Sequence, residues 1–230
     1  MKYRHIFFDL DRTLYDFDES TQRTFRELFE KFSLDKNGVS DFDAFMELYH
    51  SNNLELWAQY RDGKIKKKFL NVERFHVTLL HFGIDDRAFA GRFASEYILE
   101  SPKKKTLFPG AIEALEYLHK KYKLHIITNG FDEVQHVKMK TSGLNTYFTT
   151  MTTSEEAGAK KPGEKIFIHA LVKAGASAEE SLMIGDDYLV DIQGARNVGM
   201  DQMLFMPEGP RDNYDCTYVI SSLSDIPACL

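Results

Sequence analysis

The sequence predicts an α/β fold: a mainly parallel β-sheet covered by helices on both faces, with an all-helical segment inserted after its first strand. Three observations carry this expectation. From Pro109-Gly110 onward, short apolar runs alternate with amphipathic helical periods, the pattern of right-handed strand–helix–strand crossovers. An isolated apolar run, YRHIFFDL over residues 3 to 10, stands near the N-terminus and ends on a carboxylate, as a buried strand delivering polar groups would. The stretch between these two regions shows helical spacing throughout.

In the helical stretch, Phe25, Leu28, Phe29 and Phe32 fall at i, i+3, i+4 and i+7. Phe42, Phe45, Met46 and Tyr49 repeat that spacing, and Val72, Phe75, Leu79 and Phe82 keep to a similar face. Asn37-Gly38 and Asp62-Gly63 read as loops between helices. Beyond Pro109-Gly110, a helix burying Ala111, Ala114, Leu115 and Leu118 leads into a strand over residues 123–128 (KLHIIT). A helix near 131–141, a short strand over 148–152 and a helix over 163–174 follow. The chain closes with a strand over 182–185 (LMIG), a helix over 188–198 and strands over 201–206 and near 218–220. In a sheet wound this way, ligands bind beyond the C-terminal ends of the strands.

The 230 residues carry 29 Lys and Arg against 35 Asp and Glu, a net charge of −6, so no general basic field exists for a nucleic-acid polymer. Cys216 and Cys229, the only cysteines, lack C-x-x-C spacing, so neither a zinc ribbon nor a disulfide scaffold is expected, and a reducing cytoplasm fits. Ile6, Phe7 and Phe8 are too short a run for a signal-peptide core, and no apolar run elsewhere approaches the ~18 residues that span a bilayer. The expectation is a soluble cytoplasmic protein without a membrane partner, either a monomer or a homodimer.

Four strand ends carry polar residues suited to chemistry: Asp9 to Thr13 after the first, Thr128-Asn129-Gly130 after the second, Lys160-Lys161-Pro162 past the third, and Gly185-Asp186-Asp187 with Asp191 after the fourth. If the strand stops at Asp9 and the chain turns, Asp9 and Asp11 can flank one substrate as nucleophile and proton donor. Asp186 adds a third acid at the same edge, and oxygen ligands alone select a hard cation, Mg²⁺. A phosphoryl group makes the set coherent, because Mg²⁺, a lysine and the Thr128 hydroxyl are what its charged oxygens need, and Gly130 lets backbone N–H groups approach closely. Taken singly, each element has a plainer use: Asp at a strand end caps a turn, N-G turns the chain, Asp187 and Asp191 start a helix, and a lysine is solvated. Trp57 and Tyr60 could stack a base or pack among the helices.

The motifs D-x-D-x-T (Asp9, Asp11, Thr13), T-N-G (Thr128 to Gly130), K-P (Lys161, Pro162) and G-D-x4-D (Gly185, Asp186, Asp191) occur in the order found in the haloacid dehalogenase-like hydrolase superfamily, which the whole chain resembles. The resemblance implies a Rossmann-like core over residues 1–14 and 101–230, a helical cap over 15–100, and an aspartyl-phosphate intermediate. It also selects Lys161 over Lys160 and implies catalysis by Asp9, Asp11, Thr128 and Lys161, with phosphate held by Thr128, Asn129 and Lys161. Mg²⁺ is expected on Asp9, the Asp11 carbonyl and Asp186, with Asp191 and Asp187 as nearby candidates. F-F-D-x-D-x-T-L, W-x-x-Y-x-x-G-x-I in the cap, and T-N-G-F with Gln135 and Gly143-Leu144 resemble the pyrimidine 5′-nucleotidase subfamily. That implies a nucleoside monophosphate substrate, with Trp57, Tyr60 and Phe131 as candidate specificity residues. Sugar or other small organic phosphates are the alternative substrates. A phosphomutase or a phospho-acceptor signalling module are the alternative classes.

Overall fold

The computed structural model describes residues 2–209 and 213–230. Its strands are β1 (His5–Phe8), β2 (Lys123–Thr128), β3 (Phe148–Thr153), β4 (Ser181–Gly185), β5 (Asp201–Phe205) and β6 (Tyr218–Ile220). Helices α1 (Phe17–Lys31), α2 (Phe42–Arg61), α3 (Lys67–His81) and α4 (Arg87–Glu100) lie between β1 and β2, followed by α5 (Ala111–Leu118). The remainder are α6 (Asp132–Thr141), α7 (Ser154–Ala157), α8 (Glu164–Ala174), α9 (Gln193–Asn197) and α10 (Ile226–Cys229). All six strands pair in parallel in the order β3-β2-β1-β4-β5-β6, so the expected α/β fold of Rossmann type is present.

The chain divides into two compact units, Met1–Asp18 with Lys105–Leu230, and Glu19–Lys104. The divisions fall beyond residues 14 and 100 because the two connecting strands of chain pair with each other. The Asp16 N–H donates to the Thr106 carbonyl (3.0 Å), the Thr106 hydroxyl donates back to the Asp16 carbonyl (2.8 Å), and Tyr15 bridges Leu107. That short ladder ties residues 15–18 and 105–108 to the sheet.

In the sheet unit, β1 is buried at all four positions, as a central strand covered on both faces must be. Ile6 and Phe8 join Leu124, Ile126, Leu182, Ile184, Met203 and Phe205 on one face, under Leu115 and Leu118 of α5. Phe7, Ile127 and Met183 take the other, against Ile166, Phe167 and Ala170 of α8. His5 and His125 pack on this second face, their rings 5.3 Å apart, with His5 Nδ1 3.0 Å from His125 Nε2. Burial, reinforced by His5 and Lys123, pushes the His125 imidazole down to about 4, so the pair is neutral and structural at neutral pH.

The helical unit is held by aromatic side chains. The Phe25 ring lies 4.6 to 6.1 Å from those of Phe45, Tyr49, Phe75, Phe93 and Tyr97, which come from α2, α3 and α4. Loops fall where Asn-Gly and Asp-Gly placed them, with Gly38 and Gly63 both at positive φ. Because Phe25 touches all three neighbouring helices, Phe25→Ala is expected to cost about 3–5 kcal/mol, measured by urea denaturation. A loss below 1 kcal/mol would show that the aromatic cluster does not organise this unit.

Candidate active site

The strand order reverses at β1: β2 and β3 build outward on one side, and β4, β5 and β6 on the other. Helical connections on opposite faces therefore leave a crevice beyond the C-terminal ends of β1 and β4, where polar side chains can meet. Asp9 stands one residue past β1, its N–H bonded to the Ile184 carbonyl at 2.9 Å. The chain then turns sharply: the Leu14 and Tyr15 N–H groups both donate to the Leu10 carbonyl, and Arg12 adopts a left-handed conformation with φ 63°. Its guanidinium grips Asp18 through Nε (3.1 Å) and Nη2 (2.9 Å).

At the centre is Lys161, whose side chain is 2% exposed. Its ammonium lies 2.6 Å from Asp9 Oδ1 and 2.6 Å from Asp191 Oδ1, and donates to the Ile127 carbonyl at 2.9 Å. The contacts to Asp9 and Ile127 are hydrogen bonds, and that to Asp191 is a close ion pair. Asn129 fixes the main chain beneath it, accepting from the Lys161 N–H on Oδ1 (2.8 Å) and donating from Nδ2 to the Lys161 carbonyl (3.0 Å). The side chain of the T-N-G asparagine thus clamps the loop that carries the lysine.

Asp191 reaches this point through a local irregularity. The expected helix over 188–198 begins as a π-helical turn, Tyr188–Ile192, and only then continues as α9. Asp187 caps that turn, its Oδ1 accepting from the Leu189 and Val190 N–H groups at 3.0 Å each. Asp191 Oδ2 accepts from the Asp187 N–H at 3.2 Å and covers Gly185, where a Cβ would stand 2.4 Å from it. A glycine is therefore required at position 185. Asp186 completes the group, its Oδ1 accepting from the Thr13 hydroxyl at 3.1 Å.

Asp9, Asp186 and Asp191 each offer an oxygen within 4.8 Å of the others. Burial raises the pKa of all three; Asp191 and Asp11 push Asp9 further against the pull of Lys161, up to about 7. Asp186 is held well above the usual carboxylate range by desolvation and by Asp191 and Asp9. Lys161 is raised because Asp191 and Asp9 outweigh its own desolvation. Fully ionised, three carboxylates facing one ammonium would leave two negative charges, which suits a hard divalent cation bound by oxygen.

Asp11 stands apart from that cluster. Gln135 Nε2 donates to its Oδ2 at 2.7 Å, and Lys138 pairs with its Oδ1. The same Gln135 nitrogen donates to Thr128 Oγ1 at 2.9 Å, and the Gly130 N–H donates there at 3.0 Å. Both acceptor positions of the Thr128 hydroxyl are thereby used, leaving its proton to donate. A Cβ at Gly130 would lie 1.7 Å from Gln135 Nε2, so glycine leaves that amide room to reach Thr128 and Asp11. Phe131, buried, stands just before α6, and its carbonyl accepts from the Val134 and Gln135 N–H groups. Trp57 and Tyr60 belong to the helical unit, where their rings meet edge to face at 5.6 Å. Lys138 was not among the residues expected at the site; its only signal in the sequence is a place three residues after Gln135, on the same helical face.

A profile of the haloacid dehalogenase-like hydrolases matches residues 6–205. The chain is 33% identical to the pyrimidine 5′-nucleotidase PynA of Streptococcus pneumoniae over 236 residues, covering all of this chain and 96% of that one. It is likewise 33% identical to the pyrimidine 5′-nucleotidase YjjG of Escherichia coli over 239 residues, covering all of this chain and 99% of that one. Among solved structures, the putative HAD-hydrolase YfnB of Bacillus subtilis, bound to magnesium, superposes with a TM-score of 0.89 at 27% identity, covering 100% of this chain and 99% of that one. The chain belongs to the haloacid dehalogenase-like hydrolase family and is a phosphatase of that family.

The crowded carboxylates give a test. A carboxylate whose folded pKa is raised loses stability as pH climbs from its ordinary value, because the unfolded chain ionises first. Asp186→Asn keeps the acceptor for Thr13 and removes one charge, so in EDTA its melting temperature is expected to exceed wild type by several degrees at pH 8, about 1 kcal/mol, and by less at pH 5. A lower melting temperature at pH 8 would contradict the electrostatic reading.

Proposed function

We propose that this protein is a Mg²⁺-dependent 5′-nucleotidase that hydrolyses pyrimidine nucleoside monophosphates through a phosphoryl group carried on Asp9. The observation that carries this reading is the pairing of a buried Asp9, held on Oδ1 by Lys161, with Asp11 two residues later on separate partners. That arrangement gives nucleophile and proton carrier different environments, as two-carboxylate chemistry needs. In the first half-reaction, an Asp9 oxygen attacks phosphorus, the bond from phosphorus to the ester oxygen breaks, and Asp11 gives that oxygen its proton. In the second, Asp11 takes a proton from a water that attacks the same phosphorus, and the bond to Asp9 breaks.

Thr128 contributes its free hydroxyl proton to the phosphoryl oxygens, with the Asn129 backbone and Lys161 beside it. Asp9, Asp186 and the Asp11 main-chain carbonyl would hold Mg²⁺, with Asp191 adjacent and Asp187 engaged by the turn it caps. Bound there, the ion supplies positive charge against the negative charge of the phosphoryl group. Residues Glu19–Lys104 serve as the cap, and Trp57, Tyr60 and Phe131 are the candidate specificity residues. The pyrimidine assignment is supported by similarity to PynA and YjjG along their whole lengths. Free thiols at Cys216 and Cys229 fit a reducing cytoplasm. No helix among the described residues is long and apolar enough to cross a membrane.

The test is phosphate release with Mg²⁺ across nucleoside monophosphates, sugar phosphates and glycolytic phosphates. Preference for UMP, dUMP or dTMP is expected, together with loss of all but a few per cent of turnover in Asp9→Asn. Activity confined to sugar phosphates would overturn the substrate assignment, and an active Asp9→Asn would overturn the nucleophile.

A further inference from the structure

Lys138 is a charged residue buried where the fold does not need a charge. It is 3% exposed, on a helix whose other lysine, Lys140, is exposed, and its ammonium lies 4.9 Å from the Tyr15 ring centre and 5.3 Å from that of Phe17. Its partner in this aromatic setting is Asp11 Oδ1. Taking an ammonium out of water costs several kcal/mol unless it is paired, and an apolar residue would cover Tyr15 and Phe17 without that cost. The lysine therefore serves its partner more than the packing.

Asp11 needs such help. It sits in an irregular turn past the end of β1, where no regular element fixes its side chain, and proton transfer tolerates little misplacement. Gln135 and Lys138, three residues apart on one face of α6, each take one carboxylate oxygen, which sets both the position and the plane of the group. Each oxygen keeps a second lone pair for the reaction. Gln135 also bonds Thr128 Oγ1, so the proton carrier and the phosphate-facing hydroxyl are registered against one another by a single amide.

Resting on the function proposed above, we infer that Lys138, together with Gln135, is a positioning residue that aims Asp11 at the ester oxygen of the substrate. Removing it weakens protonation of the leaving group and leaves substrate binding and attack by Asp9 in place. The consequence depends on the leaving group: an alkoxide needs the proton, whereas p-nitrophenolate departs without one.

The experiment compares wild type with Lys138→Met, which keeps the stem's length and apolar contacts, on UMP and on p-nitrophenyl phosphate with Mg²⁺. With UMP, kcat/KM is expected to fall about 100-fold or more, the usual size of a general-acid contribution. With p-nitrophenyl phosphate, kcat/KM is expected to stay within about fivefold, which also shows that the variant is folded. Equal losses on both substrates, or none on UMP, would overturn the inference. If Lys138→Met does not fold, Lys138→Arg and Gln135→Leu are read by the same ratio between substrates, and a ratio unchanged from wild type in both overturns it. Wild type inactive on every phosphomonoester would instead refute the function on which the inference rests.

Discussion

Everything at the strand ends is arranged around one buried ammonium. Lys161 is buried between Asp9 and Asp191, and such a charge is tolerated in an interior only when it is closely paired with opposite charge and polar acceptors. The surrounding structure meets that condition. Ile127 supplies a polar acceptor from within β2, the Asn129 amide grips the lysine's main chain at both ends, and the π turn after β4 brings Asp191 back over Gly185. These contacts come from the ends of three neighbouring strands, β1, β2 and β4, so the sheet order and the charge pairing depend on each other.

One ammonium does not balance three carboxylates, and the residual negative charge is what gives the site its chemical character. Burial, reinforced by the neighbouring carboxylates, keeps the Asp9 and Asp186 carboxyls above their usual range, and a divalent cation is the simplest way to relieve the crowding. The protein thus carries a locally unfavourable arrangement whose relief lies in binding, a familiar conflict between stability and activity. Asp11 is treated differently. It has its own lysine and its own amide, drawn from α6, and the carboxylate cluster does not include it. Two carboxyl groups only two residues apart are thereby held by separate partners.

Much of the fold was legible because apolar periodicity and turn residues are local signals. The KLHIIT strand and the final strand at Tyr218–Ile220 fall where their apolar runs placed them, and Gly38 and Gly63 turn the chain between helices. That Asp9, Lys161 and Asp186 stand close together was legible from their common place past strand ends, and the resemblance to the haloacid dehalogenase-like hydrolases holds along residues 6–205. What stayed hidden depends on tertiary contact. Lys138 sits in the polar sequence DEVQHVKMKT, where a lysine reads as solvated, and only the packing of α6 against Tyr15 and Phe17 buries it. The π turn has a sequence that suits an α-helix, and the pull of Lys161 on Asp191 is invisible in it. Asn129 read as a turn former and a backbone donor, while its side chain turns out to organise the lysine loop. The ladder between Asp16 and Thr106 joins residues ninety positions apart, beyond any local pattern.

In the proposed function, Asp9 is the residue to which phosphorus is transferred. Borohydride reduces an acyl phosphate on aspartate to homoserine, so quenching the enzyme with borohydride during turnover of UMP and sequencing its peptides by mass spectrometry tests the claim directly. Homoserine at position 9, absent when substrate is omitted, is the expected result. Homoserine at position 11, 186 or 191, or none anywhere while phosphate is being released, would contradict it.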